Sequence, residues 1–540
     1  MDDNKMIDNQ HRFIELNNQS DKKIGQKSEV QPNSRMIRKT SGKGKFLEND
    51  FLILGLVLAI ILGGFVRIVH IINLDIPLND GGLFYQMILD LQSSFYKLPQ
   101  YTTYNHAKIP FAYPPMPFYL SGYLSDSFGW DLLDIIRVLP VIISILTIPA
   151  FFQLCKKILT NKWQISFATF AFALIPTAFD WLIVGGGLTR SFGYLFAILA
   201  LSQIYSLFTK YQKRNIFLAI LFSSLTVLSH PGTTWFVIFS TGIILIFNLK
   251  KKIQLINILA IVSSGVLVLT APWWGTVIRY HDTSVFLYPF QTESLSGASI
   301  LTPFTFLFTN EPLLDTLAFL GLIGVWVCLR DQKYMLPIWL FSVFLFESRL
   351  GATYAVVPMV MLSGIGLNEI LTIIQLNSQK ITNLRIIVLS HLLLLALIAA
   401  LLAPKYSTVS ENQISVMAWI QANTPESSQF MVITSVSEYG IDPVSEWFPV
   451  LSQRTSLTVP QGYEWLPNAQ FLKRQKLHAD LQACAKNDVS CIESFAAQNK
   501  LDYTHIYIAS AGKWLISTIT KSPNFDLEYD GFGGLIFSRK

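Results

Sequence analysis

Eleven apolar runs constrain the fold of this chain more than any other feature of its sequence. The hydrocarbon core of a bilayer is about 30 Å thick, which a helix of roughly 20 residues crosses. Of the 540 residues, 51% are hydrophobic and only 14% are charged, against about 25% charged residues in soluble domains. The sequence therefore predicts a multi-span α-helical membrane bundle of about 11 spans over residues 51–403. The runs are 51–73, 132–155, 163–184, 191–209, 215–230, 232–249, 253–273, 313–329, 334–347, 350–372 and 383–403.

The basic residues between these runs predict the orientation of the bundle, because Lys and Arg accumulate on the cytoplasmic side of a membrane. Every second connection is basic, which places the amino terminus inside and the chain after residue 403 outside. Residues 1–50 hold ten Lys or Arg, eight Asp or Glu and no apolar run, so we expect a disordered cytoplasmic tail. We predict a multi-pass protein of the cell membrane whose net charge of +6 requires no nucleic-acid partner.

Three segments are expected on the outer face. The first external loop, 74–131, contains amphipathic helices, of which Gly82–Gln92 is expected to lie on the membrane surface. Tyr113–Ser127 is apolar but short, and we interpret it as an interfacial or partly inserted helix begun by its prolines. A twelve-span arrangement with another re-entrant segment is the alternative. The second external loop covers 274–312, and a C-terminal extracytoplasmic domain covers 404–540.

The C-terminal domain alternates helical and strand patterns, which is typical of an α/β fold. Cys484 and Cys491 join two predicted helices through a short link, and we expect a disulfide there on an oxidising face, with two free thiols as the alternative. Asp530-Gly531 predicts a hairpin turn. The predicted helices are 411–423, 468–486 and 488–499, and the predicted strands are 430–435, 455–459, 503–509 and 527–538.

Asp80 is the most informative single residue, because it places a carboxylate at the outer mouth of the bundle. It lies in the loop Leu78-Asn79-Asp80-Gly81-Gly82, just after the first run. A carboxylate in this position suggests chemistry at the membrane face. The alternative is structural, since Asn79 or Asp80 could cap the helix that follows.

Three solitary arginines lie at the outer ends of runs: Arg190, Arg279 and Arg349. Arginine is suited to bidentate recognition of phosphate. The alternatives are interfacial snorkelling and, for Arg349, a structural ion pair with Glu347.

Further ionisable groups are expected below the membrane surface, where such groups are functional candidates. The runs beside Glu347 and His230 are shorter than a full crossing, so both residues could surround a cavity. His230 also precedes Pro-Gly and could simply end a helix. Asp180 lies within an apolar run, where it either lines the same cavity or sits at the interface beside Trp181.

The order of several motifs resembles the GT-C glycosyltransferases, including protein O-mannosyltransferases and related bacterial enzymes. An acid, Asp80, follows the first run; Tyr113-Pro114-Pro115 follows; then come DIIRVLP at 134–140 and SRLGATYAVVP at 348–358. This chain has a single Asp before two glycines, where the commonest family pattern is an Asp-Glu or Asp-Asp pair. That departure leaves the base and the metal dependence open.

The C-terminal domain has a second resemblance. Ala418–Pro425 (AWIQANTP) is similar to the stretch that opens the external domain of oligosaccharyltransferase catalytic subunits. In those proteins a WWDYG motif reads the acceptor sequon. Here Ser435–Gly440 (SVSEYG) lacks both tryptophans and the Asp, so the resemblance does not extend to sequon-directed N-glycosylation.

These resemblances imply inverting transfer of a sugar from a polyprenyl-phosphate donor to a glycan, lipid or protein acceptor outside the cell. Asp80 would be the general base. Arg349, Arg190 and Arg279 would bind the donor phosphate, and a divalent cation, Mg or Mn, is left open. Two other classes compete with the enzyme: a transporter or flippase, which the lack of a repeat between the two halves disfavours, and a non-catalytic surface scaffold. The residues implied for the cavity and the acceptor side are Glu347, His230, Tyr113 and Asp180.

Overall fold

The computed structural model describes most of the chain and divides it into two compact units, Met1–Asp50 and Phe51–Lys540. Of the first unit only the helical residues 40–50 are described, so the predicted tail lies mostly outside the described part. Side chains are described from Leu52 onwards. The described residues are 40–71, 79–248, 252–289, 308–309, 311, 315–347, 350–373, 378–402 and 408–540.

Each of the eleven apolar runs contains a helix, although the run 163–184 continues past its helix into two short 3₁₀ turns. Six of the described helices are long and apolar enough to cross a membrane, or seven if the bent pair Lys162–Leu174 and Pro176–Leu182 is one span. A membrane bundle is therefore supported, while the count of about 11 spans is not confirmed. The helices are α1 (Thr40–Ile71), α4 (Leu132–Ile158), α5 (Lys162–Leu174), α6 (Gly187–Thr209), α7 (Lys213–Val227), α8 (Pro231–Phe247), α9 (Lys252–His281), α10 (Thr316–Arg330), α11 (Met335–Phe346), α12 (Gly351–Ile373) and α13 (Ser378–Leu402).

The segment between α1 and α4 holds two short helices, α2 (Gly81–Ser93) and α3 (Met116–Phe128), and a small hairpin of β1 (Tyr101–Thr102) and β2 (Ile109–Pro110). The apolar face of α2 is buried, with Phe84 and Ile88 fully enclosed. This face packs against protein instead of lying open to lipid, which differs from the expected surface helix. The 13 residues of α3 span about 20 Å, less than the bilayer core.

The predicted loop 274–312 begins later than expected, because α9 continues to His281. Its apolar pattern runs on through Trp273 and Trp274, so the helix does not stop where the run of aliphatic residues ends. Residues 290–307 lie outside the described part of the chain.

The C-terminal region (residues 408–540) is built on a five-stranded sheet of order β4-β3-β5-β7-β6. The first three strands are parallel, and the last two form an antiparallel hairpin. The strands are β3 (Gln429–Ile433), β4 (Thr455–Ser456), β5 (His505–Ile508), β6 (Phe525–Gly531) and β7 (Gly534–Arg539). The helices are α14 (Glu411–Asn423), α15 (Pro443–Ser452), α16 (Gln470–Ala483), α17 (Val489–Asn499) and α18 (Lys513–Thr520).

The predicted helices and strands of this region are present, and two helices were not predicted. One is α15, whose sequence PVSEWFPVLS carries two prolines, which normally end helices. Pro443 occupies the first turn, where its missing N–H is not needed, and the side chain of Asp442 caps the helix. The other is α18, only eight residues long. Cys484 and Cys491 form a disulfide, and Cys155 and Cys328 are buried free thiols.

Helices α10 and α12 pack closely against each other. Gly324 lies directly against the backbone of Leu362, and a Cβ built at Gly324 would overlap the Leu362 carbonyl oxygen. Small residues allow such contact between membrane helices, where packing rather than water exclusion holds the helices together.

Replacing Gly324 with Ala should lower the melting temperature in detergent, because the new Cβ pushes α10 and α12 apart and overpacking costs about 1–3 kcal/mol. Gly242→Ala on α8 is the matched control, since a Cβ there meets no heavy atom within 4 Å. The control should be neutral or stabilising, by up to about 1 kcal/mol, through helix propensity. Thermal melting of both variants is the measurement, and an equal response would contradict the close approach.

Candidate functional site

Asp80 immediately precedes helix α2, in a backbone conformation unusual for residues other than glycine. Asn79 and Asp80 have φ of 62° and 70°, both in the left-handed region. Asn and Asp tolerate this region better than other non-glycine residues, although it still costs free energy. Asp80 occupies the N-cap position of α2, but its side chain makes no capping hydrogen bond. The carboxylate is therefore directed to a partner other than its own helix.

That partner is Arg190, in the first turn of α6. Its Nη2 donates to Asp80 Oδ2 at 3.1 Å and to Asn79 Oδ1 at 3.0 Å. Its Nη1 donates to the carbonyl of Trp181 at 3.4 Å, and the guanidinium lies 5.7 Å from the Trp181 ring centroid. The Arg190 side chain is 9% exposed and that of Asp80 24%. A guanidinium held on several acceptors fixes the position of the carboxylate that it contacts.

Three glycines, Gly185–Gly187, allow the start of α6 to reach the Asp80 loop. The backbone N–H of Gly186 donates to the carbonyl of Asn79. A Cβ at Gly186 would lie 2.7 Å from both that carbonyl oxygen and Arg190 Nη2. Only glycine leaves room for the loop and the guanidinium together.

The C-terminal region supplies a second carboxyl group to the loop. Glu446 of α15 accepts from the backbone N–H of Asn79 at 2.8 Å and of Gly82 at 2.9 Å. Glu446 is 1% exposed, and burial together with the charge of Asp80 raises its pKa to about 8. Tyr104 donates to the Glu446 main-chain carbonyl at 2.7 Å.

Sequence reasoning did not select Glu446. The residue lies in a proline-flanked apolar stretch, and it is separated from the Asp80 loop by more than 360 positions. The signal that was present is a lone acid in the apolar stretch PVSEWFPV, where a charge is unexpected unless it has a partner.

Tyr113 lies next to the same cluster. Its hydroxyl is 3.3 Å from Thr189 Oγ1, beside Arg190 on α6. Its ring packs edge-on against Trp465 of the C-terminal region, with centroids 5.5 Å apart, and lies 6.5 Å from the His230 ring. The structure thus gathers Tyr113 and His230 around one aromatic cluster beside the Asp80–Arg190 pair.

His230 has a structural role as well. Its Nδ1 accepts from the backbone N–H of Thr233 at 3.2 Å, which makes it the N-cap of α8. Asp180 lies half-buried in a short turn and interacts electrostatically with Arg67 of α1. It adjoins Trp181, whose carbonyl contacts Arg190, but no contact joins it to Asp80 within the described residues.

The described contacts of Glu347 and the exposed position of Arg279 do not involve Asp80. Glu347 accepts from the backbone N–H of Leu350 at 3.2 Å, and it is an electrostatic neighbour of Tyr354. Arg279 is exposed in the last turn of α9. Arg349 lies outside the described residues, so its expected phosphate role and its pairing with Glu347 stay predictions.

A divalent cation at Asp80 was left open by the sequence. Among the described residues, no three His, Cys, Asp or Glu side chains gather to hold a metal. Asp80 Oδ2 already accepts a hydrogen bond from the Arg190 guanidinium at 3.1 Å. A metal cation bound there would be repelled by this positive charge. The described donor set at Asp80 does not fit a metal, and no step below uses one.

The chain is similar to three solved structures over most of its length. The Archaeoglobus fulgidus oligosaccharyltransferase, in complex with Zn and sulfate, is 15% identical, with a TM-score of 0.52, over 90% of this chain and 73% of that one. ArnT from Cupriavidus metallidurans, bound to undecaprenyl phosphate, is 14% identical, with a TM-score of 0.54, over 91% and 98%. The arabinofuranosyltransferase AftD from Mycobacteria is 13% identical, with a TM-score of 0.54, over 89% and 41%.

The chain shares its fold with these three structures. No protein-family model matches the sequence, and no curated protein matches it either. The similarity to known proteins is therefore one of three-dimensional fold. It agrees with the resemblance that the order of motifs in the sequence indicated. At 13–15% identity the site has to be argued from its own residues.

Gly186→Ala should disturb the Asp80 loop, because the added Cβ competes for space with Asn79 and Arg190. Hydrogen exchange of the amides in residues 79–84 should become faster, and the melting temperature should fall, as overpacking costs about 1–3 kcal/mol. Gly275→Ala on α9 is the control, since a Cβ there meets no heavy atom within 4 Å. Unchanged exchange in the Gly186 variant would argue against the tight approach of α6.

Proposed function

We propose that this protein is a membrane glycosyltransferase that moves a sugar from a polyprenyl-phosphate donor to an acceptor hydroxyl, with Asp80 as the general base. The observation that carries the proposal is the Asp80–Arg190 pair at the junction of the bundle and the C-terminal region. It lies within a fold shared with ArnT, whose structure contains undecaprenyl phosphate.

The proposed reaction is a single displacement at the anomeric carbon, with inversion. The acceptor oxygen forms the new bond as the bond to the phosphate oxygen breaks. Polyprenyl phosphate leaves as an anion and needs no general acid. The acceptor proton passes to Asp80, and a positioned base of this kind typically contributes about 10²–10⁴-fold.

The geometry at Asp80 suits this role. Arg190 engages Oδ2, whereas Oδ1 accepts no hydrogen bond from the described residues. One carboxylate oxygen is thus held in place, and the other is left to accept the proton. A near-attack geometry depends on such fixing of the reacting group.

The departing phosphate calls for positive charge, which a guanidinium provides in a bidentate manner. Arg349 is our first choice for this role, with Arg190 and Arg279 as further candidates. Arg190 already holds the Asp80 carboxylate in place. We assign its positive charge a secondary part in stabilising the departing phosphate.

We assign the acceptor side to the C-terminal region. A Cβ at Gly440, at the end of SVSEYG, would lie 3.8 Å from Asn79 Nδ2. The segment that corresponds to the acceptor-reading motif of oligosaccharyltransferases therefore borders the Asp80 loop. Transport alone would not require the C-terminal region to border the Asp80 loop.

Asp80→Asn should reduce transfer by at least about 10²-fold, because Asn cannot accept the proton. Purified protein in proteoliposomes is supplied with undecaprenyl-phosphate mannose, glucose, galactose and arabinofuranose, together with a cell-envelope extract as the source of acceptor hydroxyls, and released undecaprenyl phosphate is measured by mass spectrometry. Asp502→Asn, at an exposed position of the C-terminal region, is the control. Turnover near the wild-type level in the Asp80 variant would remove it from the mechanism. Transbilayer movement of the donor without glycoside formation would indicate a flippase.

A further inference from the structure

The Asp80 loop holds two consecutive residues in the left-handed region, which the chain does not adopt without support. Asn79 and Asp80 have φ of 62° and 70°. Such backbone strain persists only where the surroundings fix it, and it is concentrated at functional sites. Some group of the protein must therefore hold this loop in place.

Glu446 meets the backbone of this loop, whereas Arg190 meets its side chains. Its two oxygens accept from backbone N–H groups on both sides of Asp80, Oε2 from Asn79 and Oε1 from Gly82. The backbone N–H of Asp80 faces the same carboxyl group. Successive N–H groups in a left-handed turn form a concave site for an anion or a carboxyl oxygen. Glu446 fills that site.

The bond to Gly82 is the one that an N-cap side chain normally accepts. Helix α2 begins at Gly81, so Gly82 is its second residue, whose N–H has no partner within the helix. An Asp at the N-cap would ordinarily accept from this amide or the next one. Here Glu446 accepts instead, and the Asp80 carboxylate points to Arg190.

We propose that Glu446 is the positioning residue of the site: it takes over the cap of helix α2, so that Asp80 is free to act as a base. The proposal rests on the proposed function of Asp80. It also makes correct placement of Asp80 depend on the C-terminal region, to which Glu446 belongs.

Glu446 is itself fixed firmly enough for this task. The side chain of Asp442 caps its helix, accepting from the Ser445 N–H at 3.1 Å. The main-chain carbonyl of Glu446 accepts from Tyr104 at 2.7 Å. The next residue, Trp447, is fully buried and packs against Tyr85 of α2, with ring centroids 5.6 Å apart. The carboxyl group therefore has little freedom to follow a moving loop.

Without the Glu446 carboxyl group, the amides of the first turn of α2 lose their acceptor, and Asp80 is the nearest side chain in sequence that can replace it. Glu446→Gln retains one acceptor oxygen, whereas Glu446→Ala retains none. We expect a graded effect, with Ala larger than Gln. Glu426→Gln, at an exposed position of the C-terminal region, is the matched control.

The first test needs no substrate. Hydrogen exchange of residues 79–84 in the full-length protein should become at least ~10-fold faster in Glu446→Ala, less so in Glu446→Gln, and stay unchanged in Glu426→Gln. The global melting temperature serves to separate a local effect from unfolding. Unchanged exchange in both Glu446 variants overturns the proposal, whatever the protein transfers.

The second test uses the undecaprenyl-phosphate sugar that the wild-type protein turns over. Glu446→Gln should lower kcat by ~10- to 100-fold with little change in the donor KM, because a misplaced base slows the chemical step rather than binding. A rise in KM with kcat unchanged would overturn the positioning role.

A double variant separates positioning from general damage. If Glu446 acts through Asp80, Asp80→Asn/Glu446→Gln should be no slower than Asp80→Asn alone, whereas independent roles multiply. Multiplied losses overturn the inference and leave the proposed function intact. Full turnover in Asp80→Asn overturns the proposed role of Asp80 as the base, which the exchange experiment distinguishes from a failure of the Glu446 contact.

Discussion

The ion pair between Asp80 and Arg190 is the interaction on which the candidate site depends. It joins the loop after α1 to the first turn of α6, so it exists only when two distant parts of the bundle are correctly packed. A partly buried carboxylate is costly unless it is paired, and here the partner also bonds Asn79 and the Trp181 carbonyl. The pair therefore fixes both the charge and the direction of the carboxylate.

Much of the fold could be predicted from the sequence, because apolar runs and charge bias are local signals. Helix α14 was predicted at the observed bounds, Glu411–Asn423. Asp80 and Arg190 were both selected as functional, but their partnership was not. Their contact spans 110 positions and depends on Gly186, which no periodicity singles out. The distribution of apolar residues predicts which segments are helical, while it says little about which loops meet.

Glu446 illustrates a different limit. Its helix α15 contains Pro443 and Pro449, which made a helix improbable from local rules, and its partners are backbone amides of the Asp80 loop. Every residue except proline has a backbone N–H group. A side chain whose partner is a distant backbone N–H therefore cannot be matched to a particular residue type in the sequence. Only the folded chain shows that a lone acid in an apolar helix has a polar partner.

The fold shared with the three solved structures is compatible with a different site, because a fold fixes the position of a residue in the chain but not the side chains around it. Where the commonest family pattern places a second acid beside the first, this chain has two glycines, and the neighbouring charge is the guanidinium of Arg190. A guanidinium stays cationic at any physiological pH and needs no bound ion to do so. Two carboxyl groups can approach each other here because they face different partners. Asp80 meets a cation, whereas burial and the charge of Asp80 raise the pKa of Glu446 to about 8, against the lowering effect of the backbone amides that donate to it.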